Sequence, residues 1–411
     1  MSKYKIVYIH HDGIITGSII SLLNLINKLD RELFEPILIL GSEGPSRNLF
    51  EPLDIQIYIL PMKGIMTQPP PAPFEYDYIY NWKALMHSPK RGLEGLLGEI
   101  KPDIVHLNDK SVIIAGRIAH RMGIKTVWHV RTSFAGKKSL LQYLITRNII
   151  LNNSDHIISI SEDETDGFEK FEQLSVINNS IDFELADQAV NSQNLFREEF
   201  DIKDDEIAVG MFGNLNSQKG AWNFIKAAGI AMKERGDIKF RFFVIAPIPG
   251  ELNFGKLGKL GLIDTTHPFD RAKKLVEENG LSKNLIFTDR RKDVLNVMAG
   301  LDIVSACYNM NAIGRPGFEA ASVGKPVIVN KGHTGKSKVV LNEITGLVIK
   351  RERPAELANA ILKLAKNKGL RQLMGSKGRE YVKNNFNGEK NILKIQHIYM
   401  QLINHLNKSN S

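Results

Sequence analysis

GRPGFEAASVGKPVIVN, Gly314 to Asn330, is the stretch around which the chain reads as organised. Gly314, Arg315, Pro316 and Gly317 form a loop, and Phe318 to Val323 follows as a helical run with Glu319 in its first turn. Gly324 closes that helix and Pro326 leads into the apolar strand Val327-Ile328-Val329. Glycine just past a helix end with proline beyond it is a stop signal. The first turn of such a helix presents unpaired N–H groups and a positive dipole end, which suits a phosphate. A carboxylate there, Glu319, can accept bonds from hydroxyls. The stretch therefore reads as a strand-loop-helix edge that holds a polyol phosphate. The plain alternative is an ordinary segment of an α/β core.

A chain of 411 residues is too long for one ordinary core, so two domains are expected. Its 43% hydrophobic and 24% charged residues are those of a globular protein. No apolar run approaches the roughly 20 residues of a membrane helix, and MSKYKIVYIHHDG enters a strand directly, with no signal peptide. The single cysteine, Cys307, excludes an intramolecular disulfide and reads as a buried small hydrophobe. A reducing, cytoplasmic setting is the expectation. The charge is uneven: residues 1–190 carry a net −4, the remainder +13, and residues 351–411 alone +8. A basic second half suits an anionic nucleotide ligand. The tail reads either as a lysine-rich solvated helix face or as a surface that grazes anionic lipid, as at the inner face of the membrane, or nucleic acid. No nucleic-acid motif or aromatic-interleaved basic groove is present.

Lys5 to Ile9 reads as a buried strand, followed by His10, His11, Asp12 and Gly13, then Gly17-Ser18 and the helix Ile19 to Leu29. This is the first βα unit of a doubly wound sheet, although the glycine spacing is not a strict G-x-G-x-x-G. Pro36 to Leu40 and Ile55 to Leu60 are the next strands. Pro61 to Pro89 is a long irregular loop carrying Gln68-Pro69-Pro70-Pro71 and then Phe74, Tyr76, Tyr78, Tyr80 and Trp82. Loops of that length are functional or disordered, and its aromatics suit either a sugar ring, a membrane face or local packing. Pro102 to Leu107 and Lys125 to Val130 are parallel-type strands ending near His106 and His129, where open α/β sheets bind ligands. Asp155 to Ser161 is a further strand, Ser175 to Asp182 closes the first domain, and the polar span 182–203 reads as the linker.

In the second half Ile207 to Phe212 is a strand leading into Gly213-Asn214-Leu215-Asn216-Ser217-Gln218-Lys219-Gly220 and the helix Ala221 to Lys233. Lys239 to Ala246 and Leu285 to Thr288 are strands, the latter ahead of Asp289-Arg290-Arg291-Lys292-Asp293-Val294. Between them residues 247–268 form a glycine- and lysine-rich insertion. Leu301 to Ala306 leads into the opening stretch, and helices run to the end, the last being Glu389 to Leu406.

Gly314, Arg315, Glu319, Ala320, Gly324, Lys325, Pro326 and Val327 resemble the donor-site signature of retaining GT-B glycosyltransferases of family 4, the group 1 glycosyl transferases. Lys219-Gly220, the V-W-H-V-R run ending at Arg131, and Glu343 to Val348 resemble further motifs of that family, so the likeness runs along essentially the whole chain. It implies an α/β chain of GT-B type, two Rossmann-like doubly wound domains facing across a cleft. The expected parts are an acceptor-side domain over 1–190, a donor domain over 191–385, and a helix over 386–411 packing back on the first. By the same resemblance His129 and Asn311 are the catalytic candidates, and Gly17, Asn214, Lys219, Arg290, Gly314, Arg315 and Glu319 bind the donor. Several positions depart from the pattern, Ser180 and Asp289 among them, each standing where the family has a glycine. Asn311 stands for the acidic residue that touches the donor sugar, Asn214 for the arginine that clamps the diphosphate with Lys219, and Ser18 for a second loop glycine. A neutral amide supplies hydrogen bonds but no charge to the leaving phosphate, and Arg315 is the candidate to compensate.

The activity so implied is transfer of a sugar, with retention, from a nucleotide diphosphate sugar to a glycan or lipid-linked acceptor in surface polysaccharide synthesis. No cofactor is expected, and no metal, because no Asp-x-Asp ends a strand. Two rivals stay open: a non-catalytic sugar-nucleotide binding or glycan-assembly protein, and a nucleotide-sugar epimerase on the same fold.

Overall fold

The strands are short and almost continuously apolar, as strands covered on both faces require. The computed structural model of the chain describes residues 3–62, 64, 90–132, 140–248, 266–309, 314–331 and 338–409. The chain divides into two compact units, Met1–Ser180 with Gly388–Ser411, and Ile181–Asn387.

The first unit holds a seven-stranded sheet of β1 (Tyr4–His10), β2 (Phe34–Leu40), β3 (Gln56–Ile59), β4 (Ile104–Asn108), β5 (Lys125–Val130), β6 (His156–Ser159) and β7 (Leu174–Val176), in the order β3-β2-β1-β4-β5-β6-β7. Every pairing is parallel. The period of two along β1 separates two cores. Ile6 and Tyr8 pack with Leu22 and Ile26 of helix Gly17–Asn27 and with Ile395 and Tyr399 of helix Gly388–Ser409. Val7 and Ile9 face the other way, toward Leu97 of helix Lys90–Ile100 and Ile113 of helix Ile113–Arg121. The last helix of the chain is thus a layer of the first unit's core.

The second unit repeats the plan with six parallel strands, β8 (Glu206–Phe212), β9 (Lys239–Ile245), β10 (Leu285–Thr288), β11 (Ile303–Ala306), β12 (Val327–Asn330) and β13 (Gly346–Ile349), ordered β10-β9-β8-β11-β12-β13. Helix Ala221–Glu234 covers one face through Phe224 and Ala228. Helix Arg315–Ser322 covers the other through Phe318 and Ala321. The span read as a linker is part of this unit. Asp182 caps helix Phe183–Asn191 by accepting from Glu184 and Leu185, and Ala186, Ala189 and Phe196 are buried with Phe243 and Met298. Its polar character belongs to the outer faces of two amphipathic helices. The units accordingly divide at 180/181 and 387/388, where the sequence pattern had suggested 190/191 and 385/386. No helix among the described residues is long and apolar enough to cross a membrane.

Candidate functional site

In each sheet the strand order reverses once, between β1 and β4 in the first unit and between β8 and β11 in the second. Chains leaving neighbouring strands in opposite directions open a crevice at the strand C-termini, the place where such sheets bind ligands.

At the second unit's reversal the loop after β8 turns back over β11. Gly220 has φ 74° and would place a Cβ 2.1 Å from the Cys307 carbonyl oxygen, so only glycine fits there. Asn309 braces the same loop, its backbone N–H donating to the Gln218 carbonyl (2.8 Å) and its Nδ2 to the Ser217 carbonyl (2.9 Å). The loop ends on Lys219, whose Nζ lies 4.8 Å from the centre of the Tyr308 ring. Burial lowers the pKa of this ammonium. Tyr308 is the hub: its hydroxyl donates to the Phe212 carbonyl (3.0 Å), its ring lies under Lys219, and Gly314 packs so close to that ring that a Cβ there would fall 1.8 Å from Cε2. Burial holds this phenol in its protonated form, reinforced by the negative charge of Glu319. The structure therefore gathers Lys219, Gly314, Arg315 and Glu319 around a residue that the sequence pattern did not single out.

Helix Arg315–Ser322 begins three residues earlier than the sequence suggested, with Gly314 as its N-cap and Pro316 inside the first turn, where its missing N–H costs nothing. Glu319 consequently sits in the second turn, one turn behind Arg315, and the two side chains form an ion pair of 2.6 Å. That pairing engages the guanidinium that was to compensate for Asn214. Asn214 itself is exposed, and Arg290 is exposed at the end of β10, the edge strand, two strands from the reversal. Asn311 lies outside the described residues, as do residues 65–89 of the proline-rich loop and 249–265 of the later insertion.

In the first unit His129 lies near the end of β5 and is only 3% exposed. Its Nδ1 lies 3.1 Å from His106 Nε2 and 3.3 Å from Arg131 Nη2, while its Nε2 is buried with no hydrogen-bond partner among the described residues. His106 Nδ1 in turn lies 2.6 Å from the Tyr399 hydroxyl. Arg131 is held by Asn108 Oδ1 (2.5 Å) and Asn179 Oδ1 (2.8 Å). Burial, then the Arg131 charge and His106, push His129 well below the ordinary imidazole range, and burial with Arg131 does the same to His106. Both rings are neutral at physiological pH. A small pocket beside them is lined by His129, Arg131, Ser21, Asn24, Asn178 and Asn391.

Gly17 opens helix Gly17–Asn27 after the N-cap Thr16 and is exposed. The glycine required by close approach in this loop is Gly13, whose Cβ would meet the Ser42 carbonyl oxygen at 2.6 Å. Beside it His10, His11 and Asp12 bring one ligand atom each within 4.8 Å of one another, a geometry that a divalent cation could use. In the structure both imidazoles face the Asp12 carboxylate. His10 Nδ1 lies between a donor and an acceptor of one residue, Asn108 Nδ2 at 2.9 Å and the Asn108 carbonyl oxygen at 3.1 Å, while its Nε2 faces Asp12 at 3.3 Å. His11 Nε2 faces the other Asp12 oxygen at 3.0 Å. The group is a carboxylate held by two imidazoles.

Comparison with known proteins agrees with this geometry. Residues 192–381 match the family model for glycosyl transferases group 1, and residues 15–185 the model for glycosyltransferase family 4. The chain is 28% identical over 323 residues (75% of this chain, 78% of the relative) to the UDP-Gal:alpha-D-GlcNAc-diphosphoundecaprenol alpha-1,3-galactosyltransferase of Escherichia coli. It is 22% identical over 304 residues (70% and 74%) to the capsular polysaccharide biosynthesis glycosyltransferase CapM of Staphylococcus aureus. In fold it is similar to Anabaena Alr3699/HepE, solved in complex with UDP and glucose, at a TM-score of 0.77 and 17% identity over 97% of this chain and 100% of that one.

Proposed function

The chain belongs to the GT-B glycosyltransferases, and on that footing we propose that it transfers a sugar, with retention of anomeric configuration, from a nucleotide diphosphate sugar to a glycan or lipid-linked acceptor. The observation that carries the donor half of this reading is the cluster of Lys219, Tyr308, Gly314 and Glu319 at the strand-order reversal of the second unit. Lys219 is the cation for the diphosphate, and its partly desolvated ammonium gains more from a phosphate than an exposed lysine would. The N-terminus of helix Arg315–Ser322 adds backbone N–H groups with the same preference. Glu319 accepts from the ribose hydroxyls, and Arg315 holds its carboxylate in place. With these groups offsetting the charge of the leaving diphosphate, the transfer calls for no metal ion.

A uridine diphosphate sugar is the first donor to test, because the Escherichia coli relative is named for UDP-Gal and the Anabaena protein was solved with UDP. The Escherichia coli relative, named for a diphosphoundecaprenol-linked sugar, and the Staphylococcus aureus relative, named for capsular polysaccharide biosynthesis, point to a lipid-linked or polysaccharide acceptor. The decisive experiment incubates the protein with a panel of nucleotide sugars and polyprenyl-diphosphate-linked sugars. Free nucleoside diphosphate plus a glycoside of unchanged anomeric configuration is the expected result. An isomerised sugar nucleotide would replace this reading by an epimerase, and no product of either kind by a non-catalytic binder.

A further inference from the structure

A run of four buried side chains crosses the first unit, from the last helix of the chain to β5. It consists of Tyr8, Tyr399, His106 and His129. Its proton positions follow from which groups can only donate. Arginine has no acceptor atom, so Arg131 Nη2, 3.3 Å from His129 Nδ1, donates to it. His129 Nδ1 is therefore the acceptor nitrogen of a neutral ring. His106 Nε2, 3.1 Å from the same atom, must carry a proton to bond there. That leaves His106 Nδ1 as an acceptor, and the Tyr399 hydroxyl, 2.6 Å away, fills it. The Tyr8 oxygen, 3.3 Å from the Tyr399 hydroxyl, is a second and much longer acceptor for the same Tyr399 proton. With the Tyr399 proton on its shorter contact, to His106, the chain ends with the His129 proton on Nε2, a buried donor with no partner among the described residues.

We propose that His106 and Tyr399 are positioning residues that fix His129 as its Nε2–H tautomer, so that His129 acts as a hydrogen-bond donor to a substrate oxygen and not as a base. The substrate half of this statement rests on the glycosyltransferase reading, while the tautomer half does not. A buried donor left unpaired costs free energy that a ligand oxygen can recover, which makes Nε2–H selective for a hydroxyl or other oxygen over an ammonium group, which has no lone pair to offer. Tyr399 comes from helix Gly388–Ser409, so the carboxyl-terminal helix reaches the reactive ring through a single intermediary, His106. Arg131 alone could hold His129 Nδ1 as acceptor, but without Tyr399 the His106 ring is free to exchange tautomers. Its bare Nε2 would then face the bare Nδ1 of His129, two acceptors in contact.

The test is nitrogen-15 NMR of the full chain labelled at histidine, in wild type, Tyr399→Phe, His106→Gln and His106→Leu, with the His129→Gln spectrum for assignment. Wild type should show protonated Nε2 and unprotonated Nδ1 at both His106 and His129 at neutral pH. Glutamine at 106 retains an oxygen for Tyr399 and an N–H for His129, so it should preserve the His129 signature. Tyr399→Phe and His106→Leu should lose it in part, and transfer should fall in kcat by roughly three- to tenfold, the worth of one hydrogen bond, with little change in donor KM. Protonated Nδ1 at His129 in the wild type would overturn the proposal, as would an unchanged signature in both Tyr399→Phe and His106→Leu. Absence of transfer with the wild-type signature in place would instead remove the functional reading and leave the tautomer assignment standing.

Discussion

Arg315 Nε and Nη2 both converge on one oxygen of Glu319, Oε1, at 2.8 and 2.6 Å, and the two side chains are only 19% and 14% exposed. One helical turn separates them, the spacing at which opposite charges meet. The pair ties together the cation and the carboxylate that the donor reading assigns to different parts of a nucleotide.

Arg315→Ala should therefore act on Glu319 first. Removing one member of a mostly buried pair leaves the other charge poorly solvated, so the melting temperature should drop by a few degrees, corresponding to about 1–3 kcal/mol. Arg315→Lys should recover part of that loss, since a lysine makes one contact where the fork makes two. Differential scanning fluorimetry of the three proteins checks both statements.

Lys219→Met should separate catalysis from stability. Burial lowers the pKa of this lysine, so between that lowered value and the ordinary lysine range the unfolded chain binds the extra proton. Stability attributable to Lys219 is then present above that window and lost as pH falls through the folded pKa, so at neutral pH the charge is a cost. Lys219→Met should be at least as stable as wild type at pH 7 while transfer falls by about 10²–10³, the magnitude for losing a single group that stabilises a developing anion. A thermal melt beside a turnover assay reads the two effects separately.

Gly314→Ala should be far more damaging than its one methyl group suggests. A Cβ there would lie 1.8 Å from Tyr308 Cε2, and that ring is buried and anchored by the Phe212 carbonyl. Nucleotide binding should be lost and the melting temperature lowered. Pairing the change with Tyr308→Ala should restore part of the stability, because the obstructing ring is gone, and a double-mutant cycle measures this.

Glu164 sets a pH dependence within the first unit. Burial pushes its carboxyl up to about 8, against the opposing hydrogen bond from Ser161. The folded state then holds more protons than the unfolded one between about 4.5 and 8, so this contribution is present below the window and lost as pH rises through about 8. The neighbouring Lys110, lowered by burial to about 8, acts only above that value. Glu164→Gln should flatten the fall in melting temperature between pH 5 and 8 and raise it by several degrees at pH 8.

The sheets were legible because strands covered on both faces announce themselves as apolar runs bounded by glycine, proline and asparagine. Lys125–Val130, Leu285–Thr288 and Lys239–Ile245 start where the pattern starts. Helix starts were less legible. Pro316 looks like part of a loop until one notes that proline fits a first turn, and this moved Glu319 from the first turn to the second. Tyr308 left no local signal, since its role comes from lying between a loop that precedes it and a helix that follows. The contact between Tyr399 and His106 spans 293 residues, beyond any motif spacing. Arg290 followed from motif likeness, which does not reveal that β10 is an edge strand.

The most direct test of the central claim is the melting temperature of the purified chain with uridine, guanosine, adenosine and cytidine diphosphates, for wild type and Glu319→Ala. A ligand that binds only the folded state raises it by mass action, by about 2.7 kcal/mol of stability at a hundredfold excess over Kd. The account predicts a clear rise for one base, expected to be uridine, that is absent in Glu319→Ala. No rise with any of the four, or a rise that Glu319→Ala leaves intact, would contradict the assignment of the nucleotide to the Lys219, Tyr308, Gly314 and Glu319 cluster.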